Sequence, residues 1–311
     1  MESNRDMESL FDVLTSVKDC KGNHPVFTFL MNLANPDFKR IVDSDFDQYF
    51  YETFDQTLKR YPLSDNVIKL YHQGINQKVI DPQFHGREHV QISAWMKCLK
   101  SRDNLVRFSF ANEFFHLPAG PYMEPVPGDF AEAFNFGDAN EIKLQEEVIQ
   151  SGIEIHKKLW DVKPIYFTAP SMIYNSALEK SLTQEGIKIM DVPLMRNEPL
   201  GGGKSRRRLQ YFGQRTKSNG FYVNRNAVFE TNLQNVSIDS CLKQISFAFS
   251  CKKPALISNH RASFVGGIIE TNRTNGLKQL KQLLNSITKH WPDVEFINTR
   301  ELLNILSTSN N

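Results

Sequence analysis

Apolar positions along the chain fall into two alternating rhythms, helical spacing and short continuous runs. Met7, Leu10, Phe11 and Leu14 recur at the interval of one helix face. Val26-Phe27-Thr28-Phe29-Leu30-Met31-Asn32-Leu33 reads as a strand, closed by Ala34-Asn35-Pro36-Asp37, where proline cannot donate to a ladder. A second strand spans 79–84, and Val90, Trp95, Met96 and Leu99 mark a helix that opens at His85-Gly86-Arg87-Glu88-His89. A helix over 138–160, with Asp138 or Asn140 as N-cap, precedes the strand Ile165-Tyr166-Phe167-Thr168-Ala169-Pro170. Next come a helix from about 175, a turn and strand at 186–191, a strand over 221–230 and a helix over 237–249. A strand over 254–260 ends in histidine, a long helix covers 273–290, and Val294-Glu295-Phe296-Ile297 makes a last strand before a final helix. Two stretches break the rhythm: 117–128, rich in proline and glycine, and a basic glycine-rich loop at 196–220. Strands and helices alternating at such short separations predict an α/β fold with a parallel sheet or barrel.

Composition narrows the function. The 311 residues, 40% of them hydrophobic, suffice for one large core, so residues 1–311 are expected to form a single domain. A net charge of +2 is too balanced for a nucleic-acid footprint or an acidic membrane surface. Cys20, Cys98, Cys241 and Cys251 show no CxxC spacing and suit a reducing compartment. Met1-Glu2-Ser3-Asn4-Arg5-Asp6 is polar, no apolar h-region follows, and no run is long enough to cross a bilayer, so the chain as written is expected to be soluble and cytoplasmic. Oligomeric state is not legible.

The chemistry concentrates at two strand ends. Two histidines four residues apart on a helix project from one face and can grip one metal ion, so His85 and His89 are the expected metal ligands. Ala255-Leu256-Ile257-Ser258-Asn259-His260-Arg261 is an apolar strand that ends in polar groups, and His260 is suited to act as a general acid. Asn224-Arg225-Asn226-Ala227-Val228-Phe229-Glu230 ends another strand in a carboxylate able to orient a ligand or a base. The His-x-x-Glu-His order also occurs in inverted zinc peptidases, but those sites lie within a long helix, and here Pro82 and an apolar strand come just before. Gly201-Gly202-Gly203-Lys204-Ser205 resembles a phosphate loop, yet position 198, where that loop needs glycine, is glutamate. His116 in the Phe-Phe-His at 114–116 has no evident partner.

With these elements in order, the chain resembles the polysaccharide deacetylase group (carbohydrate esterase family 4) of the glycoside hydrolase/deacetylase barrel superfamily. Phe27-Thr28-Phe29-Leu30 is similar to the second barrel strand, and His85-Gly86-Arg87-Glu88-His89 matches the His-Ser/Thr-x-x-His metal motif in its histidines, with glycine at the second position. Phe167-Thr168-Ala169-Pro170 is similar to the Arg-Pro-Pro-Tyr strand with alanine in place of arginine, and Leu256-Ile257-Ser258-Asn259-His260 resembles the strand that supplies the catalytic acid. The ending, a long helix, Val294-Glu295-Phe296-Ile297 and Glu301-Leu302, fits the family's last strand and helix. The resemblance implies a distorted (β/α)7-type barrel without its first strand, because no Asp-Asp pair precedes residue 26. Either the sequence is a fragment or the domain has lost its base, and in that form it is expected to be a poor catalyst. Asp37 is the first candidate for a substitute carboxylate.

The activity implied is metal-assisted hydrolysis of an acetyl group on a sugar or polysaccharide. The resemblance implies a divalent cation, zinc by ligand type, on His85 and His89, with His260 as acid and with Arg261 and Arg87 either at the oxyanion or holding His260. Arg87, Asn35, Asn259 and Glu230 are then expected to line the carbohydrate site. His85, His89 and His260 must converge in that reading. The rival readings are a non-catalytic carbohydrate-binding barrel and a related glycoside hydrolase using Glu230 and Glu88.

Overall fold

The computed structural model describes residues 1–117, 128–231 and 237–308. Its helices are α1 (Asn4–Thr15), α2 (Phe38–Asp43), α3 (Phe54–Leu58), α4 (Val67–Asn76), α5 (Ile92–Lys100), α6 (Asn104–Ala111), α7 (Glu141–Trp160), α8 (Leu178–Gln184), α9 (Ile238–Ser250), α10 (Glu270–His290) and α11 (Thr299–Thr308). The strands are β1 (Phe27–Met31), β2 (Ala34–Pro36), β3 (Tyr51–Thr53), β4 (Ile80–Phe84), β5 (Tyr166–Thr168), β6 (Ile189–Asp191), β7 (Met195–Gly201), β8 (Lys204–Leu209), β9 (Phe221–Val223), β10 (Ala227–Val228) and β11 (Ile257–Ser258). The expected irregular connection at 117–128 lies, apart from its ends, outside the described residues.

The mixed α/β character read from the alternation holds. Five strands form one sheet in the order β1-β4-β5-β6-β9, and β10 and β11 form a separate parallel pair. The β4–β5, β5–β6 and β6–β9 pairings are parallel, with Thr168 opposite Asp191 and Asp191 opposite Val223. β5, β6 and β9 are wholly buried, whereas β1 at the end of the series is mostly half-buried. Strands covered on both faces need apolar residues throughout, which is why their sequences read as runs rather than alternations.

The chain divides into two compact units: Met1–Phe29, Leu58–Pro82 and Asn224–Asn311 in the first, Leu30–Thr57 and Gln83–Val223 in the second. It crosses from one to the other within β1 and within β4. In the first unit α1 buries Met7, Leu10, Phe11 and Leu14, the four positions its periodicity predicts. Its N-terminus carries a reciprocal Ser3–Asp6 capping box. Gly74 lets α4 approach, since a Cβ there would lie 2.6 Å from the Phe11 ring. Gly276 in α10 faces the Ser263 carbonyl so closely that a Cβ would come within 1.7 Å of its oxygen. In the second unit Trp95, Leu99, Val106, Phe110 and Phe130 belong to a core cluster around α5 and α6. Among the described residues no helix is long and apolar enough to cross a membrane.

Several local expectations need correction. Ala34-Asn35-Pro36 does not close a strand but forms β2, antiparallel to β3, with Pro36 opposite Tyr51 at the end of a two-stranded ladder, where a missing N–H is tolerated. The 221–230 stretch splits into β9 and β10. Asn226 makes the break, its amide donating to the Pro254 carbonyl and its oxygen accepting from Leu256 N–H. Val294–Ile297 is not a strand: the Phe296 N–H goes to the Asp19 carboxylate instead of a ladder partner. The supposed loop at 196–220 opens with the β7–β8 hairpin, turned through Gly201, Gly202 and Gly203, all at positive φ.

Polar residues disguised that hairpin, because its inner face is ionic. Arg196 and Glu198 are completely buried. Arg196 donates to Gln210 Oε1, the Tyr174 carbonyl and Ser176 Oγ, with its guanidinium 3.9 Å from the Tyr174 ring centroid. Glu198 accepts from Arg206 Nε at 2.5 Å, Arg208 Nη1 at 3.2 Å and the Ser176 N–H at 2.8 Å. Burial pushes the Glu198 carboxyl up, but these donors outweigh it and hold it at about 2 against an ordinary 4.5. A carboxyl lowered on folding stabilises the fold above its unfolded pKa and loses that contribution as pH falls through its folded value. Urea unfolding should therefore show stability declining by on the order of 2–3 kcal/mol between about pH 4.5 and 2 from this group. In Glu198→Gln that component of the decline should vanish; an unchanged acid limb would refute the assignment.

Candidate functional site

β4 carries the chain to the C-terminal edge of the sheet, and the residues that follow do not enter a helix. The expected helix over His85–His89 is a loop, and α5 starts only at Ile92, capped by the Gln91 side chain, which accepts from Ala94 N–H at 2.6 Å. The cause lies between the histidines. Gly86 takes φ +116°, and Arg87 and Glu88 fold inward as a bidentate pair, Nε to Oε2 at 2.5 Å and Nη2 to Oε1 at 2.6 Å. Arg87 also donates to Ser151 Oγ at 3.0 Å and lies 4.1 Å from the Tyr51 ring centroid. Its carbonyl accepts from Leu33 and Ala34 N–H, fixing the loop to the start of β2.

The loop nevertheless brings the two histidines together, with ring centroids 5.2 Å apart. His85 Nδ1 donates to the Thr168 carbonyl at 2.7 Å, a bond that sets the tautomer and puts the neutral ring's lone pair on Nε2. Burial pushes the His89 imidazole below its ordinary value, opposed in part by main-chain hydrogen bonds at His89 and Ala131 and by the Asp129 charge. His116 adds to the lowering, and its Nε2 stands 3.7 Å from Asp129 Oδ2. The partner that the sequence did not reveal for His116 is thus Asp129. One strand along, Thr168 Oγ1 donates at 2.9 Å to Asp191, a carboxylate only 1% exposed. Sequence reading passed over Asp191, although an apolar strand ending in aspartate was the available signal.

Neutral, lone-pair-bearing imidazoles suit a divalent metal. A third donor is not in place: among the described residues no group of three or more His, Cys, Asp or Glu is arranged to hold a metal ion. Asp37, the candidate substitute carboxylate, caps α2 by accepting from Arg40 N–H at 3.0 Å. Asn35 donates to Thr57 Oγ1 at 3.0 Å.

The first unit holds the other pair. β10 and β11 run parallel, with Val228 opposite Ser258, and Phe229 N–H donates to the Ser258 carbonyl. That register sets Glu230 beside His260, with Nδ1 2.5 Å from Oε1. The His260 side chain is 76% exposed and that of Glu230 only 8%. Ser263 Oγ donates to the second carboxylate oxygen at 3.4 Å. Because a carboxylate only accepts, Nδ1 carries the proton, which assigns the proton-exchanging role to Nε2. Glu230, read from sequence as a ligand contact, is instead the orienting partner of His260. Asn259 is half-buried between β11 and His260. Arg261 is engaged with the buried Glu2, Nη1 to Oε2 at 2.6 Å, and Arg87 with Glu88, so both guanidiniums expected at an oxyanion already hold carboxylates.

No family model matches the sequence, and no curated protein matches it. Among solved structures the chain is similar to a candidate polysaccharide deacetylase from Mycobacterium smegmatis, with a TM-score of 0.45 and 10% identity, over 98% of this chain and 78% of that one. It is also similar to a 4-alpha-glucanotransferase from Thermococcus litoralis, with a TM-score of 0.43 and 12% identity, over 92% of this chain and 34% of that one.

The Arg87–Glu88 pair offers a direct test of what shapes the histidine loop. Burial raises the Glu88 carboxyl above its ordinary 4.5, Arg87 pulling it back only in part. Arg87→Leu leaves a buried, unpaired carboxylate and should cost about 3 kcal/mol at neutral pH. A carboxyl raised on folding loses stability as pH rises from its unfolded value, so the deficit should shrink near pH 5 or below. Equal urea midpoints for variant and wild type at pH 7 would show that the pair does not hold the loop.

Proposed function

We propose that this protein removes acetyl groups from a sugar or polysaccharide, on a distorted (β/α)7-type barrel. The observation that supports this most is the His260–Glu230 pair: an exposed imidazole held through Nδ1 by a buried carboxylate. That arrangement suits proton transfer at a solvent-facing Nε2, with Glu230 stabilising the imidazolium. In the reaction water adds to the acetyl carbonyl, the carbon–nitrogen or carbon–oxygen bond to the sugar breaks, and His260 Nε2 delivers a proton to the departing atom. That proton is the one that Nε2 takes from the attacking water as it adds to the carbonyl.

His85 and His89 are the residues that would hold a divalent cation, zinc by ligand type, which when bound supplies Lewis-acid polarisation of the carbonyl. Thr168 orients His85, and burial favours the neutral form of His89. The non-catalytic carbohydrate-binding reading draws on one observation: among the described residues no group of three or more His, Cys, Asp or Glu is arranged to hold a metal ion. The glycoside hydrolase reading loses its acid–base candidate Glu88, since Arg87 occupies both of its oxygens.

Acetate release from acetylated oligosaccharides tests the proposal. Wild type should release acetate, but slowly, as a poor catalyst, and His260→Gln should lower kcat further, by about 10²–10⁴-fold. No release from wild type, together with retained oligosaccharide binding, would establish the non-catalytic reading. Metal content after equilibration with zinc and gel filtration tests the cation separately. Wild type should retain more than the His85→Ala/His89→Ala double variant, and retention should fall at acid pH as the imidazoles protonate. Equal metal in both proteins would remove the cation from the proposal.

A further inference from the structure

We infer that Glu2 is a positioning residue for His260, acting through Arg261. The inference rests on the proposed role of His260, but its geometry stands independently, within the first unit. β11 is only two residues long, and His260 leaves it in extended conformation (φ −114°, ψ 147°) to enter the short helical turn Arg261–Ser263. A two-residue strand gives little hold on an imidazole that is 76% exposed. The hold comes from the segment around the start of α1.

Glu2 is 2% exposed, and its carboxylate binds Arg261 Nη1 at 2.6 Å while its other oxygen accepts from Tyr71 OH at 2.9 Å. The Glu2 carbonyl accepts from Ser64 Oγ at 2.6 Å, so the acid is itself fixed. Asp6, also 2% exposed, accepts from Gly266 N–H at 2.9 Å and from Arg273 Nη1 at 2.7 Å. The turn following His260 is therefore gripped at Arg261 and Gly266 by two buried carboxylates, and in its middle Ser263 reaches Glu230. Charge-assisted bonds in a water-poor setting are stiff restraints. A general acid misplaced by about 1 Å can lose about 10²-fold in rate, so such restraints matter for a residue carried on a turn.

The readout is the His260 Nδ1–H proton, observed by NMR in ¹⁵N-histidine-labelled full-length protein. In wild type the bond to Glu230 protects it from solvent exchange, and Glu230→Ala, which removes the acceptor, should abolish the signal. Glu2→Gln keeps the shape and removes the charge, and it should accelerate exchange by about tenfold, as should Arg261→Gln. The double variant should be no faster than either single, because both act through one contact. Where acetate release is measurable, Glu2→Gln should lower kcat with little change in KM. Leu14→Ala is the control, since it opens a cavity under α1 at a fully buried position without touching the ionic contacts. It should leave the Nδ1–H signal as in wild type. Unchanged exchange in Glu2→Gln, or equal acceleration in Leu14→Ala, would overturn the inference. If Glu2→Gln does not fold, Arg261→Gln, whose side chain is 59% exposed, carries the test. Retained acetate release in His260→Gln would sink the functional reading while leaving this positioning result intact.

Discussion

A carboxylate taken out of water must be met by donors, or it costs more than the segment it secures can return. This chain meets that constraint at four buried acids. Glu88 is clasped by Arg87, Glu198 by Arg206 and Arg208, Asp6 by Arg273, and Glu2 by Arg261. None of these acids is more than 3% exposed along its side chain. Glu88 lies between β4 and α5, Glu198 on the inner face of the β7–β8 hairpin, and Glu2 and Asp6 at the start of α1, where they hold the segment after β11. Ionic pairs of this kind add little to net stability compared with well-packed hydrophobic residues, but breaking one is expensive. Here they act as determinants of loop conformation.

The same constraint explains where sequence reading succeeded and failed. Apolar rhythm located α1, α7, α9, α10 and the central strands to within a few residues, because their burial follows a simple period. The β7–β8 hairpin was invisible to that signal, since it turns arginine and glutamate inward, and inward-facing charge reads as loop. The loop at His85–His89 was misread as helix for a related reason. Its apolar residues began soon enough to suggest a helix, but Gly86 at positive φ and the Arg87–Glu88 clasp delay α5 to Ile92.

At the candidate site, residue identity was easier to read than role. His85, His89, Glu230 and His260 were all picked out as strand-end polar groups, and each now has a defined neighbour. The arginines were misjudged, because sequence shows a cation but not whether an acid already holds it. Arg261 and Glu2 are separated by 259 positions, so no local pattern could have joined them. Asp191 and the His116–Asp129 pair were missed likewise, because their meaning depends on which strand ends and loop flanks lie side by side.

The close approach of Gly276 to Ser263 bears on motion. With helix backbone pressed against the turn's carbonyl, that turn cannot rearrange by local side-chain hopping on the picosecond-to-nanosecond scale. Any displacement of the segment after His260 must carry α10, a helix of 21 residues, with it. Collective shifts of packed helices belong to the microsecond-to-millisecond range. The backbone of the His260 turn is thus tied to a slow, heavy body, while exposed side chains such as the imidazole are left to the faster motions.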